Sequence, residues 1–85
     1  MYWDVTKAVP KGELTLWVSF ADGTSGYVKF LKKFLTGVFA PLKDPHFFQQ
    51  VFVSDGAVMW PGEVDIAPDA MYHAIKQHGE WVLSE

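Results

Sequence analysis

Three histidines are the side chains of this sequence best suited to bind a metal ion or move a proton, but their spacing keeps them apart. On a helix, His73 and His78 stand about 140° apart, so their rings do not converge on one metal. His46 lies in a different segment. Without any cysteine, a zinc site would need histidines and carboxylates gathered from distant segments. We therefore expect surface or boundary histidines, no metal site and no cofactor.

The hydroxyl and carboxylate groups show no pattern of a catalytic site either. None of the serines lies in the Gly-x-Ser-x-Gly context of a nucleophile elbow, and no glycine-rich loop joins a strand to a helix. Asp65 and Asp69 flank Ile66-Ala67-Pro68, where one carboxylate would cap the following helix and the other would face its positive end. A catalytic acid–base pair would also need a pocket, which the pattern does not indicate. We predict that the chain is not an enzyme.

The net charge of −3 conceals an uneven distribution of charge along the chain. Residues 29–43 contain four lysines and no acid, whereas residues 44–85 contain seven acids and one lysine. All seven cations are lysines, so the planar fork with which arginine reads guanine is missing. A solvated surface is the simplest interpretation of the lysine group, and a patch for an acidic partner is the alternative. Nucleic acid is a less favourable partner because an acidic chain opposes counterion release.

The elements that must position these side chains begin with a predicted three-stranded meander. Residues 2–9 alternate loosely between apolar and polar types, and residues 13–20 alternate cleanly. Asp22-Gly23 is a strong hairpin signal because glycine accepts the positive φ of a tight turn, so a returning strand is expected at about 25–30. The side chains predicted to face inward are Trp3, Val5, Val9, Leu14, Leu16, Val18, Phe20, Val28 and Phe30.

Short helices are predicted after the meander. Leu31, Phe34 and Leu35 have the spacing of a short amphipathic helix that Gly37 ends. Asp44-Pro45 has the form of an N-cap followed by proline at the first helical position. A short second helix is therefore expected there.

A second hairpin and a terminal helix complete the predicted fold. The apolar runs 51–53 and 57–60 surround Asp55-Gly56, and Pro61-Gly62 is expected to end this pair. Pro68 opens a helix that Gly79 stops. Its shared face is formed by Met71, Ala74, Ile75 and His78. The order of elements predicts an α+β fold with a small antiparallel sheet (the meander plus a second short hairpin), short helices and no βαβ crossover.

The length and composition place limits on the class of protein. A chain of 85 residues allows one domain, assigned to residues 1–85 with a loosely attached tail at 79–85. No apolar run approaches the ~20 residues that a membrane span needs, and no signal peptide is recognised. The absence of cysteine fits a reducing compartment. We expect a cytoplasmic protein with no membrane contact.

A set of short motifs over residues 1–75 resembles the bacterial family named domain of unknown function 2442. The motifs are Tyr2-Trp3-Asp4-Val5, Phe20-Ala21-Asp22-Gly23, Gly37-Val38-Phe39-Ala40-Pro41-Leu42-Lys43-Asp44-Pro45, Phe47-Phe48, Trp60-Pro61, Asp65-Ile66-Ala67-Pro68-Asp69 and Tyr72. One departure is Trp60-Pro61-Gly62-Glu63, where the family often has Trp-Pro-Asn-Gly. Gly62 still allows a positive φ, so we expect the turn to persist.

The resemblance implies a small α+β fold without an established activity. Some members of that family resemble antitoxins encoded beside a small partner protein, and some carry a helix-turn-helix after this domain. Because this sequence has no such segment after its terminal helix, the resemblance does not imply a direct transcriptional role here.

These observations favour a non-catalytic protein-interaction domain, antitoxin-like, that binds a small partner protein or itself. One alternative is a regulatory domain that binds nucleic acid through the Lys29–Lys43 patch, and another is a small-ligand binder that uses the Trp60–Asp69 turn region. The candidate binding-surface residues are Trp17, Phe39, Trp60, Asp65, Asp69 and Tyr72. For Phe39, Trp60 and Tyr72, a place in the core is the simpler interpretation.

Trp17 is the most conspicuous candidate because it interrupts a polar face. In the predicted strand 13–20, it falls on the outward side with Thr15 and Ser19. We expect it to be partly exposed in the isolated domain and to mark an association surface, since large aromatic side chains are enriched at such surfaces.

Replacing Gly23 by valine should destabilise the domain, because a β-branched residue resists the positive φ expected at the Asp22-Gly23 turn. Thermal unfolding of the purified variant measures the effect. A melting temperature equal to that of the unsubstituted chain would contradict the turn assignment.

Overall fold

Seven short strands, two α-helices and two 3₁₀ helices form the computed structural model, which describes residues 1–84. The strands are β1 (Val5–Pro10), β2 (Thr15–Phe20), β3 (Ser25–Phe30), β4 (Phe52–Ser54), β5 (Ala57–Trp60), β6 (Val64–Ile66) and β7 (Glu80–Leu83). The α-helices are α1 (Pro45–Phe48) and α2 (Pro68–His78), and the 3₁₀ helices span Lys32–Phe34 and Gly37–Lys43. The predicted α+β class is confirmed.

The first sheet has the order β1-β2-β3-β7 and contains the predicted meander. β2 and β3 are antiparallel, with Trp17 opposite Tyr27. Gly23 has a φ of +91°, and the Thr24 amide donates a 2.9 Å hydrogen bond to Asp22 Oδ1 within the turn. The turn at Asp22-Gly23 is therefore confirmed, as are the buried positions in this hairpin, which are Leu16, Val18, Phe20, Val28 and Phe30.

A register shift in β1 corrects one predicted orientation. The pairing with β2 shifts between Val5 and Lys7, so Val5 lies opposite Phe20 while Val9 lies opposite Trp17. An extra residue in one strand turns the following side chains to the other face. The prediction that Val5 and Val9 share a side is therefore wrong, and Val9 faces outward beside Trp17.

The C-terminal tail forms the fourth strand of this sheet, which corrects the predicted loose attachment of residues 79–85. β7 runs parallel to β3, with Tyr27 opposite Glu80 and Phe30 opposite Leu83. Leu83 is buried on the inner face, and this burial and the strand hydrogen bonds hold the tail. The expected absence of a crossover is also wrong, because the chain leaves β3 and returns through α2 to a parallel neighbour. Residue 85 lies outside the described residues.

The second sheet has the order β4-β5-β6, and its third strand was missing from the sequence prediction. Pro61-Gly62 turns the chain rather than ending the pair, with positive φ at Gly62 (+86°) and Glu63 (+65°). Val64 and Ile66 then alternate with exposed Asp65 in β6. Three residues are too few for a period-two pattern to be recognised in a sequence.

The helices follow the predicted capping signals only in part. The Asp44 side chain accepts a 2.9 Å hydrogen bond from the His46 amide at the start of α1, as predicted. The short helix predicted after β3 is a 3₁₀ helix, with Leu35 buried and Leu31 exposed. Gly37 begins the second 3₁₀ helix, so the prediction that it ends the first one is wrong. Ala67 occupies the N-cap of α2 and makes no side-chain cap, so the expectation of a carboxylate cap is wrong.

α2 begins at Pro68, carries Asp69 in its first turn and ends at Gly79, whose φ is +79°. Met71 and Ile75 are buried, whereas His78 is exposed instead of sharing that face. Among residues 1–84, no helix is long and apolar enough to cross a membrane.

α2 approaches the first sheet closely at Gly26 in β3. A Cβ atom built on Gly26 would lie 2.7 Å from the Gly79 carbonyl oxygen and 2.7 Å from Ile75 Cγ2. Cβ atoms in proteins essentially never approach another heavy atom more closely than 3 Å. The sheet and α2 therefore fit together only because residue 26 has no side chain. Gly26 thus sets the distance between helix and sheet.

We expect Gly26→Ala to lower the free energy of unfolding by about 1–3 kcal/mol through overpacking. For a domain of this size, that corresponds to a drop in melting temperature of roughly 4–8 °C per kcal/mol. Ser25→Ala, at the exposed neighbouring position of the same strand, is the matched control and should change stability little. Equal melting temperatures for the two variants would show that α2 has room to move away.

Candidate functional site

One face of the four-stranded sheet is exposed. The inner face packs against α2 and the rest of the core, whereas side chains in β2 and β3 alternate between buried and accessible. On the outer face, Tyr27 is 44% exposed and Val82 is 43% exposed. Large apolar side chains at this exposure are the feature that distinguishes this face from an ordinary polar sheet surface.

Trp17 lies at the centre of this face, in a row that crosses three strands. It pairs with Val9 on one side and Tyr27 on the other, and the three side chains project from the same face. Together with Lys7 and Lys11 they line a shallow depression. The predicted partial exposure of Trp17 is confirmed, and it does not pack against the core cluster. We call Val9, Trp17 and Tyr27, with Lys7 and Lys11, the outer-face patch.

The charges around the outer-face patch are mainly positive. Lys7 and Lys11 lie on its β1 side and are exposed. Lys29, further along β3, forms a 2.8 Å ion pair with Glu80 of β7. Because this ion pair is exposed, it contributes little stability. Glu80 neutralises the charge of Lys29, so the β1 side, with Lys7 and Lys11, is the more positive side of the patch. The patch is thus a basic and aromatic area on a chain of net charge −3.

Trp60 is part of the core, which confirms the simpler interpretation of this residue and removes it from the candidate binding surface. It is fully buried, and its indole Nε1 donates a 3.0 Å hydrogen bond to the Phe48 carbonyl oxygen. Its ring also packs near Phe30 and Phe48. The central strand of a three-stranded sheet directs one face inward, and Trp60 is on that face with its one donor satisfied.

The other candidates are spread over different elements. Phe39 is half-buried, and its ring centroid lies 4.8 Å from that of Phe34. Asp65 is exposed in β6, and exposed Asp69 accepts a 2.9 Å hydrogen bond from the Ala70 amide. The predicted surface residues therefore do not form one site, and Trp17 is the one that leads to a coherent patch.

Tyr72 connects α2 to the β2–β3 turn. Its side chain is largely buried, but its hydroxyl donates a 2.5 Å hydrogen bond to Asp22 Oδ2. The other carboxylate oxygen of Asp22 accepts a hydrogen bond from the Thr24 amide. These two hydrogen bonds lower the pKa of Asp22 to about 2, and the bond from Tyr72 has the larger effect. The same bond to Asp22 raises the pKa of Tyr72. The pair is a structural tie between helix and hairpin.

A cleft that the sequence did not predict lies on another part of the molecule. It has a volume of about 270 Å³ and is bounded by the turn before β2 and by the segments around α1. Its lining consists of Gly12, Glu13, Leu14, Lys32, Leu42, Lys43, Pro45, Phe48 and Gln49. The lysine group at 29–43 supplies two of the lining residues, Lys32 and Lys43. The wall opposite them is formed by residues 12–14, which are distant in sequence, so no local pattern indicated the cleft.

Within residues 1–84, no group of three or more histidine, aspartate or glutamate side chains is placed to hold a metal ion. His46, His73 and His78 are all exposed, on α1 and α2. His46 lies on α1, whereas His73 and His78 lie five residues apart on α2.

Tyr72→Phe should return the pKa of Asp22 toward its ordinary value and lower the stability at neutral pH. The folded-state pKa of Asp22 lies below its unfolded value, so its contribution is present above about pH 4 and is lost as the pH falls toward 2. The stabilities of the two proteins should therefore converge in acid. NMR titration of the Asp22 carboxyl and unfolding curves at several pH values test this. An unchanged Asp22 pKa in Tyr72→Phe would contradict the assigned cause.

The comparisons with known proteins agree with the resemblance seen in the motifs. Residues 5–77 match the family model described as a protein of unknown function, DUF2442. No curated protein and no solved structure matches the chain significantly. Since the matched region covers most of the 85 residues, the chain belongs to the DUF2442 family.

Proposed function

We propose that this domain is a non-catalytic interaction module that binds a partner protein through the outer-face patch. The observation that carries the proposal is the row of Val9, Trp17 and Tyr27 on an exposed sheet face. Trp and Tyr side chains are enriched among the central residues that carry most of the binding energy of protein interfaces, because they bury a large area with few rotatable bonds. A partner that covers this row would remove it from water at little entropic cost.

The charge of the patch favours an acidic partner surface. Lys7 and Lys11 flank the aromatic row, so carboxylates at the rim of the partner would complement them. Rim charges of this kind act mainly on the association rate and are screened by salt. We therefore expect an interface with a hydrophobic centre and an electrostatically assisted approach.

A second copy of this chain is the less favoured occupant. A symmetric dimer through the same face, with its two-fold axis across the strands, would stack β1 on β1 and place the lysines of one copy near those of the other. Glu80 is the only acid within the four strands of this sheet, and it already pairs with Lys29. Repulsion between these lysines opposes this arrangement, so we propose a different protein as partner.

The size of the face limits the affinity. Four strands spaced about 4.8 Å apart, with up to six residues at about 3.3 Å each, give a flat area of roughly 400 Å². A standard interface contributes about 800 Å² per partner, so neighbouring loops must take part or the complex is transient. A few well-placed side chains must then supply most of the affinity, and Trp17 is the central one.

An antitoxin-like role in the bacterial cytoplasm is the finer form of this proposal. The family resemblance supports it, since some members resemble antitoxins encoded beside a small partner protein. The absence of cysteine fits that compartment. Nucleic acid binding through Lys29–Lys43 is less favoured, because the chain has a net charge of −3 and Lys29 is paired with Glu80.

Site-specific photo-crosslinking in the native host cell tests the proposal. A photoreactive amino acid replaces Tyr27 on the outer-face patch or, as a control, Phe52, which is 44% exposed on β4 of the other sheet. We expect a discrete crosslinked protein from position 27 and none, or much less, from position 52. The captured protein, with the product of the adjacent gene as first candidate, is then purified for binding measurements.

Calorimetry with the purified partner should show that Trp17→Ser weakens binding by at least about tenfold, as expected for a central aromatic side chain. Phe52→Ser is the matched control and should leave Kd within about twofold, the range of a residue outside the interface. Lys7→Glu combined with Lys11→Glu should slow association, with the difference shrinking at high salt. Equal binding by Trp17→Ser and the unsubstituted chain would refute the proposal. A dimer of the free domain that Trp17→Ser dissociates would make a second copy the occupant.

A further inference from the structure

The cleft near α1 is lined by apolar and polar side chains in the way that is usual for a small-molecule binding site. Its apolar floor is formed by Leu42 and Phe48, both buried, and by half-buried Leu14. Its polar lining comes from Lys32, Lys43, Glu13 and Gln49, which are exposed. Sites for small molecules commonly combine apolar walls with a few polar groups that fix orientation. This cleft has an apolar floor and a polar rim, as such sites do.

The turn that forms one wall has an unusual backbone. Leu14 has a φ of +53°, although it is not glycine, and Gly12 two residues earlier has a φ of +93°. Left-handed backbone is unfavourable for a residue with a Cβ, and such conformations cluster at functional sites. The Leu14 carbonyl oxygen accepts a 2.9 Å hydrogen bond from the Phe30 amide, which holds this conformation against β3. Leu14 is thus fixed where it lines the cleft.

The charge around the cleft selects the kind of ligand. Two lysines, Lys32 and Lys43, line it with a single carboxylate, Glu13, so the lining has a net charge of +1. A volume of about 270 Å³ is near the lower end for small-molecule sites and fits a compact aromatic or branched body. We propose that this cleft binds small amphipathic carboxylates, with the apolar body on Leu14, Leu42 and Phe48 and the carboxylate between Lys32 and Lys43.

The proposed ligand site is independent of the partner surface. The cleft and the depression around Trp17 have no lining residue in common. A variant that blocks one site should leave the other intact, so the failure of one proposal does not affect the other.

Three probes with the same aromatic body and different head groups test the ligand class. These are 2-naphthoate, 2-naphthylmethanol and 2-naphthylmethylamine, added separately to the ¹⁵N-labelled chain. We expect 2-naphthoate to bind with a Kd of about 1 mM or below, the affinity that a fragment of this size can reach. Its chemical-shift changes should map to Glu13, Leu14, Lys43 and Gln49. The alcohol should bind more weakly, and the amine most weakly.

Charge reversal at the rim separates a specific site from general attraction to lysines. Lys32→Glu combined with Lys43→Glu should weaken 2-naphthoate binding at least about tenfold, since the ion-pairing groups are replaced by repelling ones. Lys33→Glu is the matched control, because Lys33 is an exposed neighbour that does not line the cleft. It should leave Kd within twofold. Gln49→Trp, at an exposed lining position, should fill the cleft and abolish binding while the melting temperature stays close to that of the unsubstituted chain.

Three results would overturn the proposal. The first is equal binding of the acid, the alcohol and the amine, which would show that the cleft does not select charge. The second is a loss of affinity in Lys33→Glu as large as in the double variant. The third is that none of the three probes causes saturable chemical-shift changes at the cleft, or that the changes are confined to the outer-face patch.

Discussion

The packing of Phe30, Phe48 and Trp60 holds the molecule together, because each ring comes from a different part of the fold. Phe30 ends β3, Phe48 ends α1, and Trp60 ends β5. Their centroids lie 5.7–5.9 Å apart, and the Trp60 indole N–H is bonded to the Phe48 carbonyl oxygen. Buried aromatic pairs at this separation are worth roughly 0.5–1.5 kcal/mol beyond the area that they bury. Both sheets and α1 meet at this one cluster.

That cluster also determines where the two candidate sites lie. It draws the second sheet and α1 to the inner face of the first sheet, where α2 packs as well, so the outer face is the one left to carry Trp17 and Tyr27. Phe48 contributes to the cluster and to the floor of the cleft. The cleft thus has a rigid base, whereas its lysines come from 3₁₀ segments near the surface. Both candidate sites depend on the same core without sharing a lining residue.

Local signals in the sequence predicted the parts of the fold that local chemistry determines. The Asp22-Gly23 turn, the Asp44 cap and the Gly79 stop were predictable, because each depends on a few neighbouring residues. β6 and β7 were not, since three or four residues contain too little pattern and gain their stability from partners far along the chain. The bulge in β1 reversed the side on which Val9 lies, and no local pattern marked it.

The same distinction explains the outcome for the candidate sites. Trp17 could be predicted from one strand, because alternation alone placed it outward. The burial of Trp60 agrees with the simpler interpretation of its motif, a place in the core. The cleft was not predictable, because Leu14 and Lys43 meet only in the folded chain.

Several residues that carry the family resemblance have structural roles in this domain. Asp44 caps α1, Trp60 fills the core, and Asp22 and Tyr72 tie the hairpin to α2. Trp17 and Tyr27, in contrast, lie outside the motifs and outside the core cluster. Family membership therefore identifies the scaffold, whereas neither of these two side chains belongs to the core cluster. If the proposed partner surface is formed by residues outside the motifs, we propose that relatives with the same scaffold bind different proteins, according to the residues at positions 17 and 27.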